Sequence, residues 1–174
     1  MILATNTLRT ALGLALLAAA APLAAQICNP NIRETTPTSR FVVDTNQGTV
    51  LDKQTGLMWK RCVEGQSGVD CATGAYSTHD WGGALSLAAG STHAGYQDWR
   101  LPNIKELVSL VEEKCDDPAI NLTVFPNAPS DWHSSSSSDA HSSVNVWGVD
   151  FVYGSINNGN RLNSHAVRLV RGGQ

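Results

Sequence analysis

The chain has 174 residues, 42% of them hydrophobic and only 16% charged, and its 12 Lys and Arg against 15 Asp and Glu leave a formal net charge of -3. That is the length of one domain of ordinary size. No window is dense in Lys or Arg, which excludes a nucleic acid held on a broad basic face as the main partner.

The first 25 residues read as a secretory signal peptide. A short segment with Arg9 as its only charge leads into the uninterrupted apolar run ALGLALLAAAA from Ala11 to Ala21, and small residues follow to Ala25. About eleven apolar residues are too few to cross a hydrocarbon core, which takes about 20 in a helix, so the run predicts export with cleavage after Ala25. All four cysteines, Cys28, Cys62, Cys71 and Cys115, lie beyond that point, in a chain that meets an oxidising compartment where thiols pair. The Gly-rich loop VEGQSGVD brings Cys62 to Cys71, which leaves Cys28 for Cys115. A four-thiolate zinc site would need a close Cys-x-x-Cys pair, and the sequence has none.

Residues 26–40, rich in Thr, Pro and Asn, predict an arm without core, tied down at Cys28. In TVLDKQTGLMWKR the two apolar runs around Gly56 predict a hairpin with Thr49 to Leu51 and Leu57 to Lys60 as strands and Trp59 pointing inward. Thr78 is placed to cap a helix through HDWGGALSLAA that ends near Gly90. A second helix begins at Ile104, with Asn103 as N-cap, Glu106 as its capping-box partner, and Ile104, Leu107, Val108 and Val111 on one face. Prolines keep PAINLTVFPNAP irregular, with Ile120, Leu122, Val124 and Phe125 as core fillers. DWHSSSSSDAHSS has almost no aliphatic content and reads as a solvated loop. Period-two alternation then puts Trp147, Val149, Phe151 and Tyr153 on one strand face, and Val167 and Leu169 on another. The turn-rich GSINNGNRLNS lies between them, with Asn158-Gly159 closing a hairpin. The sum is an α+β domain, two helices on a mainly antiparallel sheet with long irregular loops.

The strings GLMWKRC, GYQDWRLPNIKELVSLVEEKC, PAINLTVFPN, DWHSSSS and VRLVRGGQ together resemble the family named for the C-terminal domain of the Legionella collagen-like adhesin. The resemblance runs from Phe41 to Gln174. That family is similar to the C-type-lectin-like and formylglycine-generating-enzyme-like domains, so the resemblance implies a C-type-lectin-like architecture over residues 41–174. It also implies an exported adhesive or ligand-binding module, in the namesake one that binds sulfated glycosaminoglycans. Read physically, the matched strings are scaffold: Trp99 and Leu101 bury, Arg100 pairs with a carboxylate or backbone carbonyls, and Trp59 and Trp147 anchor the core.

Several chemistries fail on residue inventory. A formylglycine-generating activity needs reactive cysteines in the C-terminal part, and none follows Cys115. The calcium-dependent sugar site of C-type lectins resembles Glu-Pro-Asn plus Trp-Asn-Asp; Leu101-Pro102-Asn103, Phe125-Pro126-Asn127 and Trp147-Gly148-Val149-Asp150 lack that oxygen set. Asp131, His133, Asp139, His141 and Ser134 to Ser138 hold the atom types of a hydrolytic triad without its Gly-x-Ser-x-Gly elbow. The same residues have no regular metal-ligating spacing. Glu112, Glu113, Asp116 and Asp117 read as a solvated helix end.

The sequence therefore predicts a non-enzymatic binding domain that needs no cofactor and no metal. Its candidate contacts are Trp132 and His133 in one polar segment and Asn157, Asn158, Asn160, Arg161, Asn163 and His165 in the other. Trp132 is suited to stack on a sugar face, and the amides and Arg161 to read hydroxyls or an anionic group. The implied partner is a glycan or a surface protein, met in the periplasm, at the cell surface or outside the cell. A homo-oligomer is a further expectation, and as a trimer it would concentrate Arg161, Arg168 and Arg171. The alternative is a structural or assembly component of a surface appendage or envelope complex, in which these loops are incidental.

Overall fold

A computed structural model describes residues 26–172, so the signal-peptide reading of residues 1–25 lies outside the described residues. In chain order the elements are β1 (Ile27–Cys28), β2 (Phe41–Asp44), β3 (Thr49–Asp52), β4 (Leu57–Lys60), β5 (Thr78–His79), α1 (Trp81–Ala89), α2 (Ile104–Val108), β6 (Cys115–Asp116), β7 (Trp132–Ser138), β8 (Asn145–Asp150), β9 (Ser155–Asn160), β10 (His165–Ala166) and β11 (Val170–Gly172). They build a four-stranded sheet in the order β11-β4-β3-β2, a five-stranded sheet in the order β5-β10-β7-β8-β9, and the small β1-β6 pair. Every pairing is antiparallel except β10 with β7. This is the α+β architecture that the alternation and the two helical patterns predict.

The predicted hairpin is β3–β4, with Val50 opposite Trp59 and both fully buried. Around them Phe41, Leu107, Leu110, Phe125, Val149 and Phe151 form the main core, which joins the two sheets and α2. A second cluster sets Ala84 and Ala88 of α1 against Trp99, Leu101, Val167 and Leu169. Trp99 and Leu101 are thus core residues, and the Arg100 guanidinium pairs with Glu106 through two 2.7 Å bonds. Both disulfides join the pairs read from the sequence, Cys62 with Cys71 and Cys28 with Cys115.

Five local readings are corrected. The cap of α1 is Asp80, whose Oδ1 accepts the Gly83 N–H at 2.7 Å, because Thr78 is drawn into β5. The capping box at Asn103 and Glu106 is present, but α2 stops after Val108 because Val111 leaves to bridge Ile120. The serine-rich run is no loop: it is β7, the central strand of the larger sheet, with Ser134 and Ser135 buried. Its polarity is tolerated because the hydroxyls and backbone are bonded. Ser135 Oγ donates to the Trp147 carbonyl at 2.6 Å, and Ser136 N–H donates to the Pro102 carbonyl at 2.7 Å. GSINNGNRLNS likewise contains strand β9, so Asn158-Gly159 pairs with β8 instead of turning, and the turn falls before it at Gly154 (φ 69°); Tyr153 is accordingly exposed.

The arm and the acidic segment correct each other. Glu112 is buried, and its carboxylate accepts the backbone N–H groups of Thr35, Thr36 and Lys114 and the hydroxyl of Thr36. Burial alone would raise its pKa, but these bonds outweigh it and hold the group below the usual glutamate value. The arm thus carries a buried residue, Thr36, and is fixed by a charge that the sequence pattern assigned to solvent.

Candidate functional site

Register sorts the five-stranded sheet into two faces, since directly opposed residues share a face and neighbours along a strand do not. Trp132 opposes Asp150, Ser134 opposes Gly148, Gly148 opposes Asn157, and Val146 opposes Gly159. In β10 Ala166 is level with His133, which leaves His165 on the face of Trp132, and His79 opposes His165. The row through Trp132 therefore reads His79, His165, Trp132, Asp150 and Ser155, and the next row on the same face reads Ser134, Gly148 and Asn157.

Trp132 dominates this face. Its indole lies over the backbone of Gly148 and Gly159. A Cβ on Gly148 would overlap Cζ2 and Cε2 of the indole, and one on Gly159 would sit 3.5 Å from Cζ2. The indole N–H donates to Asn157 Oδ1, which fixes the plane of the ring and leaves the carboxamide NH2 of Asn157 turned to solvent. The His165 ring sits beside the indole, centroids 4.2 Å apart at 52°, and its Nε2 is buried with no partner. Burial lowers the His165 pKa and the Asp131 carboxylate partly restores it. Asp131 is held in turn, accepting the Trp132 N–H at 2.7 Å and the Tyr76 hydroxyl at 3.0 Å. At the far end of β9, Arg161 stacks over Trp81 at 4.8 Å and forms no ion pair among the described residues.

The remaining predicted contacts separate. His133 is 1% exposed, packs edge-on against Phe151 at 4.9 Å and bonds the Asp131 carbonyl through Nδ1 at 3.0 Å, so it belongs to the core and is withdrawn from the contact set. Burial, and then the charge of Arg168, push its pKa down to about 4. Asn158 and Asn160 fall on the opposite face from Asn157. Asn158 Nδ2 donates to Asp139 at 2.7 Å, and Asn160 Oδ1 accepts the Leu162 N–H at 2.9 Å. Asn163 is exposed in the turn between β9 and β10. The idea that Arg161, Arg168 and Arg171 gather is also withdrawn, since the last two are buried. Arg168 donates to the carbonyls of Lys60 and Arg61 and stacks on Phe125, while Arg171 pairs with Asp98 at 2.7 Å. Among the described residues no three His, Cys, Asp or Glu side chains converge as a metal cage.

Sequence reasoning missed His79, Gly148 and Gly159. The available signal was a glycine in each of two strands, which marks close approach of another group to the backbone. The model of the Lcl C-terminal domain family matches residues 48–171, a span that contains every strand of this sheet. The chain belongs to the Lcl C-terminal domain family. Among curated proteins none matches it. In this Lcl C-terminal domain the family segment runs from the β2–β3 turn into β11, so the arm that carries Cys28 precedes it and closes on it through Cys115. Among the described residues no helix is long and apolar enough to cross a membrane.

Proposed function

We propose that this chain is an exported, non-enzymatic adhesion-type domain of C-type-lectin-like kinship that grips a glycan on the Trp132 face. The observation that carries the reading is the indole packed against Gly148 and Gly159 with its N–H already bound to Asn157. A half-buried aromatic ring already fixed by such contacts meets a ligand with little ordering cost, which suits the apolar face of a pyranose ring. The free NH2 of Asn157 supplies a directional group beside it, while Arg161, half-buried over Trp81, and the exposed Asn163 lie beyond the far end of β9. Two carboxylates border the ring, Asp131 before it in the chain and Asp150 opposite it in register. That supports a neutral saccharide over a polyanion, which would meet them at like charge.

Export is supported by the two disulfides, which form in oxidising compartments, and by the apolar leader. Adhesion is supported by membership in the Lcl family. The test is binding of the oxidised chain to an array of immobilised neutral and sulfated glycans. Retention on neutral glycans that disappears in Trp132→Ala, with circular dichroism unchanged, is the expected result. Retention that survives Trp132→Ala, or that is confined to sulfated glycans, removes the reading.

A further inference from the structure

Residues 71–76, which follow the short disulfide loop, and the irregular segment of residues 117–130 border a cleft of about 710 Å³, within the size range of small-molecule sites. Its walls are mainly apolar. Ala72 and the exposed ring of Tyr76 come from the first segment, and Pro118, Leu122, Ala128 and Pro129 from the second. The polar side chains on the cleft have turned their hydrogens onto the protein. Gln26 Nε2 donates to the carbonyls of Pro118 at 2.5 Å and Ile120 at 2.7 Å, which uses both amide hydrogens. Gln66 Nε2 donates to the Asn127 carbonyl at 3.0 Å, Asn127 Nδ2 to the Asp70 carbonyl at 2.8 Å, and the Tyr76 hydroxyl to Asp131 at 3.0 Å. What these groups keep is oxygen, and Gln66 Oε1 is buried without a donor among the described residues. Asp117 is the one charged side chain among the described residues that line the cleft; it is half-buried and forms no ion pair among them.

We infer that this cleft is a second binding site, for a small organic cation that carries a primary ammonium on an apolar body. An ammonium has three hydrogens to give and no lone pair, which matches a wall that offers oxygens, and its charge supplies the counter-ion that Asp117 lacks. The body displaces water from Pro118, Leu122, Ala128 and Pro129, and the ring face of Tyr76 attracts a cation as well. Other ligand classes fit the same inventory less well. An anion meets Asp117 at like charge and finds no Lys or Arg on the cleft. A neutral polyol can give hydrogens to the oxygens, but it leaves the carboxylate without a counter-charge and sets hydroxyls against apolar wall. Trp132 does not line the cleft, so the inference stands apart from the saccharide reading.

The test is a chemical-shift titration of the chain, both disulfides intact, with hexylamine, hexanol and hexanoate, which share a body and differ in head group. Hexylamine, charged at neutral pH, is expected to shift the amides of Ala72, Leu122 and Ala128 and to bind about ten-fold or more tighter than hexanol, the difference that one bond to a charged group makes. Hexanoate is expected not to bind. Asp117→Asn keeps the shape of the side chain, and Asn tolerates the positive φ of 50° at this position. It is expected to remove the advantage of the amine and to leave hexanol as it was, with the circular dichroism spectrum unchanged. Should Asp117→Asn not fold, the ranking of the three probes on the wild type decides. Hexanol or hexanoate binding as tightly as hexylamine overturns the inference, as do hexylamine that shifts none of these amides and an amine advantage that survives Asp117→Asn. No sugar enters the measurement, so its failure and the failure of the Trp132 reading are separate results.

Discussion

Gly148 decides whether the Trp132 face exists, because any Cβ at that position overlaps the indole and the His133 carbonyl oxygen. Gly148→Ala is expected to lift the ring off the sheet, shift its fluorescence, abolish saccharide retention and cost about 1–3 kcal/mol through overpacking. Unchanged fluorescence and binding would show that the ring does not depend on this floor. Trp132 itself was legible in the sequence as an aromatic among polar residues, but the glycines beneath it lie 16 and 27 positions away and only register brings them under the ring. His133 carries the opposite lesson, since its position beside Trp132 suggested a contact and strand alternation turned it inward. Its burial makes it a pH sensor for stability. The unfolded chain takes up this proton near pH 6.5 and the native state only near pH 4, so stability is full above 6.5, declines as pH falls from 6.5 to about 4, and levels below that. The interval corresponds to about 3 kcal/mol at most, and His165, also lowered by burial, acts in the same direction. Thermal melts across that window should show a clear decline in the wild type and a shallower one in His133→Leu. Equal slopes would count against a buried neutral imidazole.

At the level of elements, legibility followed local signals. The hairpin β3–β4 and the start of α2 depend on a turn glycine and on a capping box, both complete within a few residues, and both were read with their partners correct. Asn103→Ala is expected to lose about 1 kcal/mol, visible as a lower denaturation midpoint with unchanged m-value. A loss near zero would mean that the Arg100–Glu106 pair holds the turn alone. Strand β7 was illegible because a run of serines offers no period to read. Its place at the centre of a sheet is set by distant groups, among them the Trp147 carbonyl, the Pro102 carbonyl and the Trp81 indole N–H that donates to the Ser135 carbonyl at 3.0 Å. Strand β9 was misread for the reverse reason, since Asn-Gly is a strong local turn signal and pairing with β8 overrode it. The candidate face lies on these two strands, which is why the sequence did not sort its residues: Trp132, Asn157 and His165 share one face, while His133, Asn158 and Asn160 lie on the other.

For the molecule as a whole, the arm is where covalent and non-covalent ties converge. Cys28–Cys115 closes a separation of 87 residues and Cys62–Cys71 one of 9. In the chain-entropy model these are worth about 4–5 and about 2.5–3 kcal/mol. The long bridge does not act alone, because β1 pairs with β6 beside it, the Gln26 carboxamide donates to the carbonyls of Pro118 and Ile120, and Glu112 binds Thr35 and Thr36. All of these ties fasten the same arm to the same segment, so their contributions are coupled. In chemical denaturation, replacing Cys28 and Cys115 by Ser should cost more than replacing Cys62 and Cys71. Glu112→Gln should cost about 2–3 kcal/mol in the oxidised chain, since it loses the charge that four donors share. Once the long bridge is gone the arm detaches more readily and the carboxylate has less left to hold, so the same substitution should cost measurably less in the Cys28→Ser, Cys115→Ser background. Strict additivity of the two costs would mean that Glu112 stabilises its own turn and that the arm is held by the disulfide alone.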